Sequence, residues 1–174
     1  FTTQVTYQHI DDIVPILFEE GKNPFVVLLD GLTDVRNFGA IARTAECAAV
    51  DAIIIPSKNS VSVNADAIKT SAGALHTLPV CRENQIGQTI KYLKNCGFRI
   101  IGATEKGDRS YTKADYTGPV CLIMGAEDRG IPQEHLALCD DWVKIPILGH
   151  IQSLNVSVAA GVLMYEIVKQ RTEE

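Results

Sequence analysis

The sequence predicts an α/β fold in which a mainly parallel sheet is covered by helices on both faces. Three observations carry that prediction. Short, continuously apolar and β-branched runs recur along the chain, stretches with helical periodicity separate them, and Gly and polar residues gather where the runs end. The first run is Phe25-Val-Val-Leu-Leu29, followed by a helix over about Gly39–Ala49 and a second run, Ala52-Ile-Ile-Ile-Pro56. Further runs stand at Leu78–Cys81, Arg99–Ala103, Val120–Met124 and Trp142–Ile145, with helical spacing at Ile86–Asn95 and Asn155–Lys169. Residues 1–23 read as an N-terminal extension or linker, because Ile10, Ile13, Val14, Ile16, Leu17 and Phe18 form a helical pattern that Pro15 interrupts. Residues 24–174 read as one catalytic domain.

The last helix is the most informative element. Between Val156 and Val168 only Ser157 and Glu166 are strongly polar. A helix apolar around its circumference has to be covered around its circumference. One side is expected on the sheet and the other against a second copy of the chain, which predicts a homodimer through this helix.

With 174 residues, 46% hydrophobic and 21% charged, the chain can bury a core without a disulfide or structural metal. The formal charge of −5 argues against an unspecific grip on nucleic acid, since phosphate affinity comes mainly from clustered Lys and Arg. Asp11, Asp12, Glu19 and Glu20 against Lys22 concentrate acidity in the first 23 residues, so the body is nearly balanced. The five cysteines include no C-x-x-C pair, which signals neither zinc nor a redox dithiol. Cys121 lies inside an apolar run, as a reduced buried thiol would, so a reducing compartment, the cytoplasm, is expected, with no membrane span. The chain begins with Phe1 instead of Met, so an upstream segment is expected to be missing.

Ligands of open α/β sheets bind where strands end. Three such places combine Gly with polar residues. In Asp30–Ala45, Asn37 reads either as a helix N-cap or as a site residue, and Arg43 either pairs with Glu46 or faces a cleft opposite the Ile41 core stripe. Met124-Gly-Ala-Glu-Asp-Arg-Gly-Ile-Pro132 follows an apolar run directly, but its spacing fits neither a dinucleotide fingerprint nor a phosphate loop. In Ile145–Asn155, Ser153 and Asn155 stand at the mouth of the last helix, where they could simply cap it. His150 and Ser153 could suggest a hydrolase, but no nucleophile elbow or acid partner accompanies them.

Read together, the segments resemble the three signature motifs of the SpoU family of RNA ribose 2′-O-methyltransferases, of the SPOUT or α/β-knot class. Asn37-x-Gly-Ala-Ile-x-Arg43-Thr-Ala looks like the first motif, Met124-Gly-Ala-Glu127-x-x-Gly130 the second, and Ser153-Leu-Asn155-Val-Ser-Val-Ala-Ala160 the third. The resemblance covers about residues 24–171. With the N-terminal stretch and Val168-Lys-Gln-Arg171, it is closest to the branch that modifies a guanosine ribose in large-subunit ribosomal RNA.

The resemblance implies a C-terminal deep trefoil knot, which patterning could not show because general topology rules make knots very rare. It also implies S-adenosylmethionine bound in the knotted loops, with Gly125, Ile145, Leu154 and Thr104 as cofactor-binding positions. Asn37, Arg43, Glu127, Ser153 and Asn155 match catalytic or substrate-handling positions. The expected substrate is RNA, rRNA favoured over tRNA, and the additional N-terminal RNA-binding domain that many relatives carry is expected to belong to the missing upstream segment. A sulfonium methyl is already electrophilic, so no metal is needed; the protein must align a ribose oxygen and dispose of one proton. Since a guanidinium stays protonated, Arg43 is expected to clamp a phosphate and polarise the 2′-hydroxyl while Glu127 and Asn37 orient it. The competing readings are a catalytically silent RNA-binding knot protein and an unrelated α/β nucleotide-binding protein or hydrolase.

Overall fold

The computed structural model describes residues 5–172. Seven strands form one sheet in the order β3-β2-β1-β6-β4-β7-β5: β1 Phe25–Asp30, β2 Ala52–Pro56, β3 Val80–Glu83, β4 Arg99–Ala103, β5 Arg109–Ser110, β6 Val120–Gly125 and β7 Asp141–Lys144. Every neighbouring pair is parallel, in agreement with the expected sheet. The helices are α1 Ile10–Glu19, α2 Val35–Cys47, α3 Ala65–Thr70, α4 Ile86–Asn95, α5 Gln133–Leu136 and α6 Val156–Thr172.

The continuous apolar runs are explained by burial on both faces. Along β1, Phe25, Val27 and Leu29 enter one core with α2 and α6, whereas Val26 and Leu28 enter a second core with α1 and α4. The same alternation divides Val120, Leu122 and Met124 from Cys121 and Ile123 on β6. Successive side chains point to opposite faces of a strand, so a strand buried on both sides needs an apolar residue at every position.

Several local expectations are corrected. Pro15 does not interrupt α1: the helix continues through it because Pro15 faces solvent while Ile10, Ile13, Val14 and Leu17 anchor the opposite side in the second core. The N-terminal extension is therefore docked on the sheet, and Gln8 pairs with Cys81 beside β3; residues 1–4 lie outside the described residues. Helix α2 starts at Val35, earlier than its apolar spacing suggested, because Asp34 caps it by accepting from the amides of Arg36 and Asn37 at 2.8 and 3.0 Å. The short α3 and α5 and the two-residue β5 had no periodicity long enough to read.

Helix α6 is covered on one side by the single chain. Val156, Ala160, Leu163, Met164 and Ile167 are buried, whereas Val158 and Tyr165 are 52% and 48% exposed. The preceding loop adds Leu148 and Ile151, 95% and 79% exposed. The far end of the helix is tied to the sheet by Arg171, which donates to the carbonyl of Asn23 and stacks 5.7 Å over the Phe25 ring.

The sheet has one topological peculiarity. Strands β4 and β5 follow one another in sequence yet flank β7, with Ala103 and Arg109 both in register with Val143. The connection 104–108 must therefore cross β7. It does so in close contact: the amide of Thr104 donates to the Val143 carbonyl at 2.9 Å, and a Cβ at Gly107 would lie 2.9 Å from the Val143 carbonyl carbon and 3.0 Å from the Trp142 oxygen. Only glycine lets two backbones approach this closely. Among the described residues no helix is long and apolar enough to cross a membrane.

Gly107→Ala should therefore lower stability by about 1–3 kcal/mol, the usual cost of forcing an extra carbon into a filled space. Gly149→Ala, where a Cβ would meet nothing within 4 Å, should leave it unchanged. Urea midpoints of the two variants provide the comparison.

Candidate active site

The parallel registers bring three segments to one edge of the sheet. In the β4–β6 ladder Gly102 pairs with Ile123, so Thr104 and Gly125 leave the sheet side by side. In the β4–β7 ladder Ala103 pairs with Val143, and Ile145 follows directly after β7. Gly125, Thr104 and Ile145 thus stand at the C-terminal ends of three adjacent strands.

The loop after β6 folds back on itself. Ala126 and Gly130 form an antiparallel bridge, with the Gly130 amide donating to the Ala126 carbonyl at 2.8 Å. Gly130 has φ +69°, and a Cβ on Gly125 would lie 2.3 Å from the Gly130 carbonyl carbon. Side chains at either position would open this turn, whose tip presents Glu127, Asp128 and Arg129 to solvent.

Glu127 is joined to the other two segments by hydrogen bonds across long sequence separations. Asn37 Nδ2 donates to Glu127 Oε1 at 3.3 Å, and Asn155 Nδ2 donates to Asn37 Oδ1 at 3.2 Å. The partners are 90 and 118 residues apart. Asn155 also caps α6, its Oδ1 accepting from the Ser157 amide at 3.0 Å, the Val158 amide at 3.3 Å and the Ser157 hydroxyl. Capping and site roles, alternatives in the sequence, are combined in one side chain. For Asn37 the capping alternative is replaced: Asp34 caps α2, and the Asn37 side-chain amide is left to bridge.

The remaining expected residues are placed less tightly. Arg43 is exposed on α2 and, among the described residues, forms no ion pair with Glu46 or any other acid, while Ile41, Ala45 and Ala48 on the same helix are buried. Ser153 is exposed without a side-chain hydrogen bond among the described residues, and no hydrogen bond joins it to His150. Thr104 is half-buried, its hydroxyl accepting from the Lys106 amide at 3.2 Å. Leu154 stands one residue before the Asn155 bridge, so it is carried to the same edge.

The fit of S-adenosylmethionine to these loops depends on backbone groups. Between Ile145 and Leu154, among the described residues, no amide or carbonyl is paired with another backbone group. An exposed loop with free donors and acceptors, beside the tight Gly125–Gly130 turn, suits a flat, polar ligand held largely by main-chain groups. Among the described residues no cluster of His, Cys, Asp and Glu could hold a metal ion.

One pair was not legible in the sequence. Asp30, the last residue of β1, is 5% exposed, and its Oδ2 lies 2.5 Å from Nδ1 of His135 on α5. Burial pushes the Asp30 carboxyl above its ordinary range, with His135 pulling the other way. The residues are 105 apart in sequence, and neither belongs to a local motif that would single it out.

A parallel sheet with a crossed C-terminal strand, and three hydrogen-bonded segments at its strand ends, defines a SPOUT-type methyltransferase fold. The chain belongs to the SpoU rRNA methylase family, which it matches over residues 24–165. It is 37% identical over 165 residues to the 23S rRNA (guanosine-2'-O-)-methyltransferase RlmB of Photorhabdus laumondii, covering 95% of this chain and 68% of the relative. Among solved structures it resembles the SpoU methyltransferase AviRb of Streptomyces viridochromogenes in complex with AdoMet, with TM-score 0.81, 29% identity and coverage of 87% of this chain and 59% of that one. An AdoMet-bound rRNA methyltransferase of Sinorhizobium meliloti matches with TM-score 0.84 and 27% identity over 94% of this chain and 61% of that one. The chain thus spans about two thirds of the length of the named relative and about six tenths of the solved chains.

Asn155→Ala should remove both the α6 cap and the bridge to Asn37, costing about 1–2 kcal/mol of stability. Asn37→Ala, which removes only exposed side-chain hydrogen bonds, should cost less than about 1 kcal/mol. Denaturant titration of both variants checks the ranking.

Proposed function

We propose that this chain carries the catalytic domain of an RNA ribose 2′-O-methyltransferase that uses S-adenosylmethionine and acts on ribosomal RNA in preference to tRNA. The observation that carries this reading is the Glu127–Asn37–Asn155 chain of hydrogen bonds, which gathers all three family motifs next to the ends of β4, β6 and β7. The naming of the P. laumondii relative for guanosine 2′-O-methylation supports a ribosomal guanosine as the target. Reduced thiols, with all five cysteines free, suit a cytoplasmic enzyme.

S-adenosylmethionine supplies an electrophilic methyl group when bound. Gly125, Thr104, Ile145 and Leu154 would hold it, mainly through backbone groups. The turn 125–130 and the loop 145–154 form the wall, and the threading of the chain after β7 past the connection 104–108 is the knot that keeps both loops together. Asn37, held from both sides, fixes the Glu127 carboxylate; these two orient the ribose, with Asn155 and Ser153 beside them. Among the described residues Arg43 is committed to no acid, which leaves its guanidinium available for a phosphate flanking the reacting ribose. In that position it polarises the 2′-hydroxyl without leaving its protonated state. Selecting a 2′-hydroxyl is itself selection of RNA over DNA.

The exposed side of α6 with Leu148 and Ile151 supports a homodimer. Covering that surface would also shield the loop 145–154.

Titration calorimetry should show S-adenosylmethionine binding, and 2′-O-methyl mapping of 23S rRNA and tRNA from a deletion strain should show one lost ribosomal site. A chain that binds RNA but not the methyl donor would instead be a silent knot protein. Arg43→Lys should lower turnover at least tenfold with little change in donor affinity, since a lysine cannot clamp a phosphate through two parallel donors. Sedimentation should give a dimer at micromolar concentration, and Val158→Glu, placing a charge on the exposed face of α6, should give monomer.

A further inference from the structure

Asp30 is the acidic residue in the buried interior among the described residues, and its carboxylate is met there by His135 at 2.5 Å. A buried carboxylate is costly unless it is paired, so the position of each partner constrains the other. Neither residue belongs to the three motifs that carry the proposed chemistry. Both stand where the loops bearing those motifs begin and end.

On one side, Asp30 pairs with Gly125 in the β1–β6 ladder and immediately precedes the turn into α2, which carries Asn37. The next residue, Gly31, sits close to the second loop, since a Cβ there would lie 3.5 Å from Ala126 Cβ. On the other side, His135 lies in α5, just after the loop 126–132 that carries Glu127. A helix of four residues has no stability of its own, so α5 is held by tertiary contacts. These are the buried Leu136 and Ile131, the hydrogen bond from Trp142 Nε1 to the Leu136 carbonyl at 2.8 Å, and the His135 bond to Asp30. The other edge of the His135 ring faces Gly87 on α4, where a Cβ would be 3.9 Å from Nε2.

We infer that Asp30 and His135 form a positioning pair, which clamps the loop 126–132 to the end of β1 and thereby sets Gly125 and Glu127 against Asn37. The inference rests on the proposed function for its catalytic consequence. The pair touches neither substrate nor donor; it acts through the loop. Without the His135 donor, Asp30 admits water or moves, and the loop loses the anchor at its α5 end. A shift of about 1 Å in such a loop is enough to lower a rate a hundredfold.

Full-length His135→Phe keeps a ring of similar shape and removes the donor. It should weaken S-adenosylmethionine binding at least tenfold in calorimetry and speed amide hydrogen exchange in residues 126–132. His135→Asn, whose amide nitrogen can take the place of Nδ1, should restore affinity to within threefold of wild type, a rescue that loss of ring packing would not give. Asp30→Ala should behave like His135→Phe and Asp30→Asn like wild type, and this second pair decides the matter if His135→Phe does not fold. A folded His135→Phe or Asp30→Ala variant with wild-type affinity and wild-type exchange overturns the inference, as does a His135→Asn variant no better than His135→Phe. If the wild-type chain fails to bind the donor, the proposed function falls, while faster exchange at 126–132 in His135→Phe would still establish the clamp.

Discussion

The insertion of β7 between β4 and β5 is the constraint on which the rest of the molecule depends. Because 104–108 crosses β7 with backbone against backbone, the chain leaving β7 emerges beside Thr104 and Gly125. From there 145–155 has to travel back toward α2 before α6 can lie down on its core. Asn155 is where that journey ends, fixed both by capping α6 and by bonding Asn37. The site is thus a by-product of the route the backbone takes, with few strong contacts of its own.

This explains why such weak interactions can define a site. Exposed side-chain hydrogen bonds of 3.2–3.3 Å contribute little to folding. Their partners are already delivered by strand ends, a helix cap and a glycine-closed turn, so the bonds select among small displacements and need not overcome the entropy of bringing distant segments together. The heavier anchoring lies beneath, in the alternating apolar faces of β1 and β6 and in the buried pairing of Asp30 with His135.

The parallel sheet was legible in the sequence because burial on both faces leaves an unmistakable mark, an apolar residue at every position from Phe25 to Leu29, Ala52 to Pro56 and Val120 to Met124. Asn37, Glu127 and Asn155 were legible through their family motifs. The crossing at Gly107 was not: a single glycine in a polar loop gives no sign of which strand it will touch. Nor was the Asp30–His135 bond, since His135 sits in an element too short for any periodicity and its partner is 105 residues away. Asn37 was ambiguous for a local reason, the true cap standing three residues earlier at Asp34. The continuation of α1 through Pro15 shows the same limit from the other side, where tertiary burial of one face outweighs a missing hydrogen bond.

The acidic balance of the chain fits a division of labour within the proposed reaction. A net charge of −5 cannot draw a phosphate backbone onto the whole surface, so attraction must be local. Arg36 and Arg43 on α2 and Arg129 at the tip of the 125–130 turn are exposed around the bonded Asn37 and Glu127, whereas Asp11, Asp12, Glu19 and Glu20 belong to α1 and its end, packed on the opposite face of the sheet from α2. These arginines thus stand near the reacting edge interspersed with Asp34, Glu127 and Asp128, the last paired with Arg129 at 3.8 Å, while the α1 carboxylates lie on the other layer. Interspersed charge of this kind pairs with individual phosphates and adds little to holding a whole polyanion, which is consistent with the single phosphate clamp proposed for Arg43.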